Sequence, residues 1–396
     1  MNSLKTATAI SLLFLALTTQ ALAEDLYERQ ARPDFAAVDK IVETAAPKLM
    51  GKYKLPGLSL AVTVDGQRRF YNYGNTAVAG GSPVTSDTIF EIGSISKTFT
   101  TVMAARAQAE GRLSLADNVS QRLPALGGGD FDRITLLNLA THTSGLPLFP
   151  PGGLKTRDQF LNYCADWRPA HPVGTSRVYS NPGIALLGLA AVEGGNGSFA
   201  DLAEKQLFPD LGLTNTYIRV PPEMMPDYAQ GHDKNGRPVR LTEDALAETA
   251  YAIRSSTADL IKYLEDYMGV GELLKPDLKR ALDETLIGHY QVGGMIQALV
   301  WEYYPPGTDL KTILEGGSDA MVYQANPAAP LEPASGPMLE AVYNKTGSTR
   351  GFAAYAVFVP ARKTGLVMLS NRPFPIEARV RLAFEILAAL KAWPAE

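Results

Sequence analysis

A serine and a lysine three residues apart form the first group that could do chemistry. They are Ser94 and Lys97, in the only Ser-x-x-Lys pattern of the chain. Residues three apart on a helix lie on one face, so the Lys97 amine would lie near the Ser94 hydroxyl. A serine becomes a good nucleophile when a neighbouring base takes its proton, and a desolvated lysine beside other cations can act as that base. Alone, the pattern is more typical of a solvated helix face.

A tyrosine and an asparagine form the second group. Tyr179 and Asn181 lie in a loop that leads into a predicted helix. A tyrosine beside lysines can be held partly as phenolate, which is a competent general base, and the Asn181 amide could orient a substrate carbonyl. A second Tyr-x-Asn, at Tyr73 and Asn75, falls in a predicted strand, where we expect a structural role.

The third group is the tripeptide Lys345-Thr346-Gly347 at the end of a predicted strand. There it would present a cation, a hydroxyl and a backbone without a side chain. The N–H of Ser348 could contribute to an oxyanion hole. A second copy, Lys363-Thr364-Gly365, lies in a predicted turn and reads as an ordinary hairpin tip.

Elements from both chain ends could position these groups. The hydrophobic periodicity predicts helices over 34–55, 98–112, 184–193, 257–267 and 376–392, strands over 57–64, 68–75, 339–344, 352–359 and 366–370, and loops over 147–153 and 326–337. We therefore expect an α+β fold with a five-stranded antiparallel sheet, flanked by the terminal helices. Residues 24–90 and 301–396 would form one α/β lobe and residues 91–300 an inserted, mainly helical lobe, with the active site between them.

Composition narrows the class of protein. The 396 residues carry a net charge of −4 without a basic run, which argues against a nucleic-acid partner. One cysteine, Cys164, allows no internal disulfide and reads as a buried apolar residue, and four scattered histidines predict no metal site.

Residues 1–23 read as a signal peptide cut before Glu24, since a short apolar run precedes Ala21-Leu22-Ala23. No later stretch is apolar enough to span a membrane.

The order of the three groups is typical of the penicillin-recognising serine hydrolases. From about residue 57 onward the chain resembles the class C (AmpC-type) β-lactamases in particular. The segments that carry the resemblance are 90–100 (FEIGSISKTFT), 135–145 (TLLNLATHTSG), Gly351-Phe352 followed by Tyr355, and 367–371 (VMLSN). Class A enzymes fit less well, because the chain has neither Ser-Asp-Asn at 179–181 nor a Glu-x-x-Leu-Asn pattern.

The resemblance implies roles for individual residues and no cofactor. Ser94 would be acylated, Lys97 and Tyr179 would exchange its proton, and Tyr179 would activate the deacylating water. The implied substrate contacts are Asn181 with the acylamide, Lys345, Thr346 and Arg379 with the carboxylate, the N–H groups of Ser94 and Ser348 with the oxyanion, and Tyr251 as an aromatic wall. The family also implies a periplasmic enzyme, and we expect a monomer that acts on small β-lactams.

Four residues depart from the class C pattern. Phe149 replaces a Gln that contacts the substrate amide, Ile376 replaces an Asn near Arg379, Arg350 replaces a Gly, and Asn344 replaces a common His. These departures concern substrate preference.

Three alternative functions would use the same catalytic residues: a D-alanyl-D-alanine carboxypeptidase, a family VIII-type esterase, which usually lacks Lys-Thr-Gly, and a non-catalytic penicillin receptor.

Overall fold

The computed structural model describes residues 33–195, 197–271 and 274–394. Within these residues one antiparallel sheet has nine strands, in the order β6-β3-β4-β5-β7-β8-β9-β1-β2. The strands are β1 (Gly57–Val64), β2 (Gln67–Gly74), β3 (Gly288–Val292), β4 (Met295–Gln297), β5 (Glu302–Tyr304), β6 (Ala329–Ser335), β7 (Val342–Ser348), β8 (Ala353–Val359) and β9 (Thr364–Ser370). The signal peptide predicted at 1–23 lies outside the described residues.

The α+β class is confirmed, but the predicted number of five strands is wrong. The five predicted strands are β7, β8, β9, β1 and β2, and they lie side by side. The other four extend the sheet from β7. Residues 326–337 contain β6 rather than only a loop, and this strand pairs with β3 alone. The segment reads as a loop because it has four prolines, two of which lie in β6. An edge strand tolerates proline, because an N–H that points away from the neighbouring strand is not needed for pairing.

The described residues form fourteen α-helices, some of which cover the two faces of the sheet. They are α1 (Ala36–Tyr53), α2 (Ser96–Ala109), α3 (Val119–Arg122), α4 (Leu136–Ala140), α5 (Arg157–Asp166), α6 (Asn181–Val192), α7 (Phe199–Leu202), α8 (Phe208–Asp210), α9 (Ala247–Ala250), α10 (Thr257–Met268), α11 (Pro276–Thr285), α12 (Leu310–Gly316), α13 (Asp319–Tyr323) and α14 (Ile376–Ala389). The five predicted helices correspond to α1, α2, α6, α10 and α14.

Strand β8 shows how the sheet separates two cores. Its odd-numbered residues, such as Tyr355 and Val357, pack with α1 and α14. Its even-numbered residues, such as Ala356 and Phe358, pack with α2 and α10. Side chains alternate between the faces of a strand, so an all-apolar strand must be covered on both sides.

A third core lies among the helices α4, α5, α6 and α9, away from the sheet. Cys164 is buried there, as predicted. Residues 288–297, however, belong to the sheet as β3 and β4. The C-terminal part of the sheet therefore begins at Gly288, before the predicted lobe boundary at residue 301. The division of the chain into two lobes stays a prediction. In the described part of the chain, no helix has the length and apolarity needed to cross a membrane.

Candidate active site

Ser94 lies in a tight turn between a short strand and α2. The strand Phe90–Glu91 ends just before the 3₁₀ turn Gly93–Ile95, and α2 begins at Ser96. Lys97 lies in the first turn of α2, and its Nζ donates a hydrogen bond of 3.0 Å to Ser94 Oγ. The predicted approach of the lysine amine to the serine hydroxyl is therefore present in the structure.

The Lys97 side chain is fully buried, which sets its acidity. Nζ also donates to the carbonyl oxygen of Ala250 at 2.8 Å. Burial lowers the pKa of Lys97 to about 8, with a smaller lowering from the Lys345 charge and an opposing effect of Tyr179. A lysine with this pKa is partly neutral near pH 8 and can accept a proton.

Tyr179 lies among three cations. The Nζ atoms of Lys97 and Lys345 lie 5.3 and 5.1 Å from the centre of its ring, and Cζ of Arg177 lies 5.3 Å from it. Burial, the largest single influence, raises the pKa of Tyr179. The charges of Lys345 and Lys97 and a hydrogen bond with Ser94 lower it, and their combined effect brings the pKa below its ordinary value. The cluster therefore favours the phenolate.

Strand β7 brings Lys345 into this cluster from the sheet. Lys345 is only 2% exposed, and its Nζ lies 3.5 Å from Glu302 Oε1. The same carboxylate accepts a hydrogen bond of 2.7 Å from Arg177. Thr346, the next residue of β7, is half-buried and pairs with Tyr355 of β8.

The backbones of the Ser94 turn and of β7 touch. Gly93 has a φ of +52°, and a Cβ added to it would lie 2.6 Å from Ser348 N. A Cβ added to Gly347 would lie 2.0 Å from the carbonyl oxygen of Ile92. Only glycine fits at these two positions without displacing backbone atoms. The N–H groups of Ser94 and Ser348 therefore lie on two segments that are in direct contact.

The other predicted substrate contacts lie on loops around the cluster. Asn181 begins α6, and its Nδ2 donates to the carbonyl oxygen of Leu148 at 2.9 Å. The next residue, Phe149, is 56% exposed, and its ring lies edge-on to Tyr251 at 6.3 Å. The Tyr251 hydroxyl donates to the carboxylate of Asp244 at 2.6 Å. Phe149 and Tyr251 thus form an aromatic pair beside Asn181.

Arg379, the remaining predicted contact of the substrate carboxylate, makes its hydrogen bonds within the protein. It lies in α14, is 2% exposed, and donates to four acceptors of the protein. Both terminal nitrogens of its guanidinium are therefore occupied, rather than open to a substrate carboxylate.

The second copies of the motifs lie away from the cluster, as predicted. Lys363 occupies the turn between β8 and β9, and its Nζ donates to Asp65 Oδ1 at 2.8 Å. Tyr73 lies in the edge strand β2.

Sequence reasoning missed three buried residues next to the cluster. Arg177 and Glu302 form the ion pair behind Lys345, and the His142 ring packs against the Tyr179 ring, tilted by 40°, with 4.3 Å between ring centres. Nδ1 of His142 accepts a hydrogen bond of 3.2 Å from the Ser180 N–H. The sequence offered one signal for His142 and Arg177, because both lie in or next to the motifs named above.

Among the described residues, no group of three or more His, Cys, Asp or Glu side chains is arranged to hold a metal ion.

Comparisons with known proteins agree with this geometry. Residues 42–391 match the β-lactamase family. The β-lactamase of Lysobacter lactamgenus is 42% identical over 385 residues, which cover 97% of this chain and 98% of the relative. A solved class C β-lactamase shares the fold with a TM-score of 0.87 and 41% identity, covering 91% of this chain and 99% of that one. A β-lactamase/D-alanine carboxypeptidase from Pseudomonas syringae has the same TM-score and 42% identity, covering 89% of this chain and 99% of that one.

The chain belongs to the β-lactamase family. Within this family it is a class C enzyme, and hence a serine hydrolase, as the sequence resemblance predicted.

The close contact between the two backbones yields a prediction. Gly347→Ala would place a methyl group against the Ile92 carbonyl and displace the Ser348 N–H, so we expect kcat/KM to fall by about 10²-fold or more. Gly365→Ala is the matched control from the second Lys-Thr-Gly, since its nearest neighbour would be the flexible Met268 side chain at 3.2 Å. The measurement is turnover of a chromogenic cephalosporin, with melting curves as the check on folding. Equal activity in both variants would contradict the assigned contact.

Proposed function

We propose that this protein hydrolyses the β-lactam amide through an acyl-enzyme on Ser94. The observation that carries the proposal is the 3.0 Å hydrogen bond from Lys97 to Ser94 Oγ inside a buried, cationic cluster around Tyr179. A nucleophile, a base of lowered pKa and two backbone N–H groups lie within one small region. This is the set that acyl transfer requires.

In the acylation step, Ser94 Oγ attacks the lactam carbonyl carbon as its proton moves to the Lys97–Tyr179 pair. The carbonyl oxygen becomes negative and accepts hydrogen bonds from the N–H groups of Ser94 and Ser348. The carbon–nitrogen bond of the ring then breaks, and the pair returns a proton to the departing nitrogen. The products are an ester on Ser94 and a ring-opened amine.

In the deacylation step, Tyr179 takes a proton from a water molecule that attacks the ester. The lowered pKa of Tyr179, which results from the nearby lysines despite burial, suits this role. The ester bond breaks, Ser94 recovers its proton, and an inactive acid is released. Tyr179 therefore serves both steps, and it is paired with Lys97 in acylation.

Substrate contacts follow from the surroundings of the cluster. Lys345 and Thr346 would bind the carboxylate and Asn181 the acylamide, whereas Phe149 and Tyr251 would flank the side chain of the substrate. Phe149 can neither donate nor accept a hydrogen bond, so a single amide would hold the acylamide.

We also propose that the enzyme is a periplasmic monomer. Support for export comes from the signal-peptide pattern of residues 1–23, since such a segment directs secretion.

A second candidate function is cleavage of D-alanyl-D-alanine peptides. The similarity to the β-lactamase/D-alanine carboxypeptidase of Pseudomonas syringae favours it as an additional activity of the same site. A chromogenic cephalosporin assayed beside a D-Ala-D-Ala peptide separates the two functions. A burst equal to the enzyme concentration without turnover would instead indicate a penicillin receptor, and turnover of esters alone an esterase.

Ser94→Ala tests the nucleophile. We expect the variant to fold but to lose both acylation and hydrolysis, by about 10⁴-fold or more in rate, because no covalent intermediate can form. Mass spectrometry after incubation with a penicillin should show an adduct on the wild type alone. An adduct on the variant would remove Ser94 from this role.

Lys345→Ala tests the electrostatics. We expect about a 10²-fold loss of turnover, because a charge-assisted contact to the substrate disappears. Lys345 also lowers the pKa of both Lys97 and Tyr179. Its removal should raise both values, so the acidic limb of the kcat/KM profile should move to higher pH, since the reaction needs the deprotonated pair.

Lys363→Ala is the control for that variant, because Lys363 pairs with Asp65 in an exposed turn. Its rate and pH profile should match the wild type. An equal loss in both lysine variants would refute the assignment of Lys345.

Phe149→Gln tests substrate preference. Restoring a second amide should add up to roughly tenfold to kcat/KM for acylamino substrates such as cephalothin, since a neutral hydrogen bond contributes about 0.5–1.5 kcal/mol. Imipenem, with its small hydroxyethyl group, should gain little. We therefore expect the imipenem-to-cephalothin ratio of kcat/KM to fall in the variant. An unchanged or higher ratio would reduce Phe149 to a packing residue.

A further inference from the structure

The guanidinium of Arg379 uses all its terminal hydrogens on the protein. NH1 donates to the carbonyl oxygens of Gly347 and Ala354, both at 2.8 Å. NH2 donates to Ser348 Oγ at 3.2 Å and to the carbonyl oxygen of Phe374 at 3.1 Å. Each terminal nitrogen carries two hydrogens, so four bonds saturate them. The two-pronged face that a carboxylate would need is already filled.

The remaining donor of Arg379 does not offer a carboxylate site either. Its Nε is buried without a hydrogen-bond partner in the described part of the chain. No carboxylate forms an ion pair with Arg379 among the described residues. Burial lowers the pKa of Arg379 to about 10, so the side chain still carries its charge at neutral pH. Burying a cation beside neutral acceptors alone costs free energy, so the groups that Arg379 contacts call for an explanation.

One of the four acceptors, the Gly347 carbonyl oxygen, belongs to the peptide bond that joins Gly347 to Ser348. The Gly347 carbonyl and the Ser348 N–H belong to the same planar, trans peptide group, in which the C=O and the N–H point in opposite directions. A hydrogen bond that fixes the carbonyl therefore also fixes the direction of the N–H. The bond to Ser348 Oγ holds the next residue from the same side.

The charge of Arg379 also acts through this peptide. A cation that binds a carbonyl oxygen draws electron density toward it, and hydrogen bonds in a chain polarise one another in a medium of low dielectric constant. The Ser348 N–H at the opposite end thereby becomes a stronger donor. The geometry thus couples a buried guanidinium to one of the two donors that face the oxyanion.

We propose that Arg379 is a positioning residue of the oxyanion hole, which orients and polarises the Gly347–Ser348 peptide rather than binding the substrate carboxylate. This inference rests on the proposed acyl-enzyme function. It predicts that Arg379 affects every ligand that places an oxygen in the oxyanion hole, whether or not that ligand has a carboxylate.

Two probes separate orientation of the peptide from recognition of a carboxylate. The first is kcat/KM for nitrocefin, a chromogenic cephalosporin with a carboxylate. The second is the Ki of phenylboronic acid, which has none. In the boronate adduct, Ser94 Oγ bonds to boron, the serine proton moves to the Lys97–Tyr179 pair, and a boron-bound hydroxyl lies in the oxyanion hole.

Arg379→Lys keeps the charge but loses the planar fork, so it is the main variant. We expect kcat/KM for nitrocefin to fall by about 10- to 10²-fold and the Ki of phenylboronic acid to rise by a similar factor. Arg381→Gln is the control, because Arg381 lies in the same helix but pairs with Glu377 at the surface. It should leave both values unchanged.

A lower rate with an unchanged boronate Ki would overturn the proposal in favour of carboxylate binding, and no change in either value would reduce Arg379 to a packing residue.

Ser348→Ala provides a milder variant should Arg379→Lys fail to fold, as judged by thermal melting. It removes one of the four acceptors and keeps the N–H, so we expect both values to change together by about threefold. Opposite or absent changes would contradict the inference.

The same experiment separates this inference from the proposed function. Boronate inhibition needs only Ser94 and the oxyanion hole, and it can be measured by displacement of a fluorescent penicillin. A wild type that is acylated by nitrocefin but does not turn it over would refute hydrolysis, and the comparison of Ki values would still decide the role of Arg379.

Discussion

The contact between two backbone segments is the constraint on which the site depends. The turn that carries Ser94 and the end of β7 touch without side chains between them, at Gly93 and Gly347. The proposed covalent intermediate on Ser94 would place its oxyanion next to the nucleophile, so its second donor would have to come from a segment at backbone distance. The sheet supplies that segment, because β7 lies centrally between β5 and β8 and its end is fixed by pairing. The site is therefore built on a rigid strand end, which preorganises the donor.

Around this contact the protein concentrates positive charge. Lys97, Lys345 and Arg177 surround one tyrosine ring, and Glu302 is the carboxylate that contacts two of these three cations. Complete neutralisation would leave burial to raise the pKa of the tyrosine above its ordinary value. Partial neutralisation leaves a net positive field that stabilises an anion in the cluster. The cost of burying such charges is borne by the packed cores on either side of the sheet.

The sequence predicted the contact between Lys97 and Ser94 better than it predicted the strands around it. Ser94 and Lys97 were recognisable because a turn and a helix fix their separation locally, and strands such as Phe352–Val359 were recognisable from a continuous apolar run. Strand β6 was not, since its prolines read as a loop and its pairing with β3 is a long-range property. The contacts of Arg379 were not predictable from the sequence either. Its position was available from the motif, but its four acceptors lie on segments that only the folded chain brings together.

The duplicated motifs show why burial and neighbours, rather than residue types, determine the chemistry. Lys345 and Lys363 belong to the same tripeptide, yet the first is 2% exposed in a cationic cluster and the second pairs with Asp65 in a turn. Tyr179 and Tyr73 share a Tyr-x-Asn pattern, yet their pKa values move in opposite directions. Burial and nearby carboxylates raise the pKa of Tyr73, whereas two lysines and a hydrogen bond with Ser94 together outweigh burial and lower that of Tyr179. A chain that carries two copies of both of these motifs assembles one reactive set, because the fold brings only one copy of each into the cationic cluster.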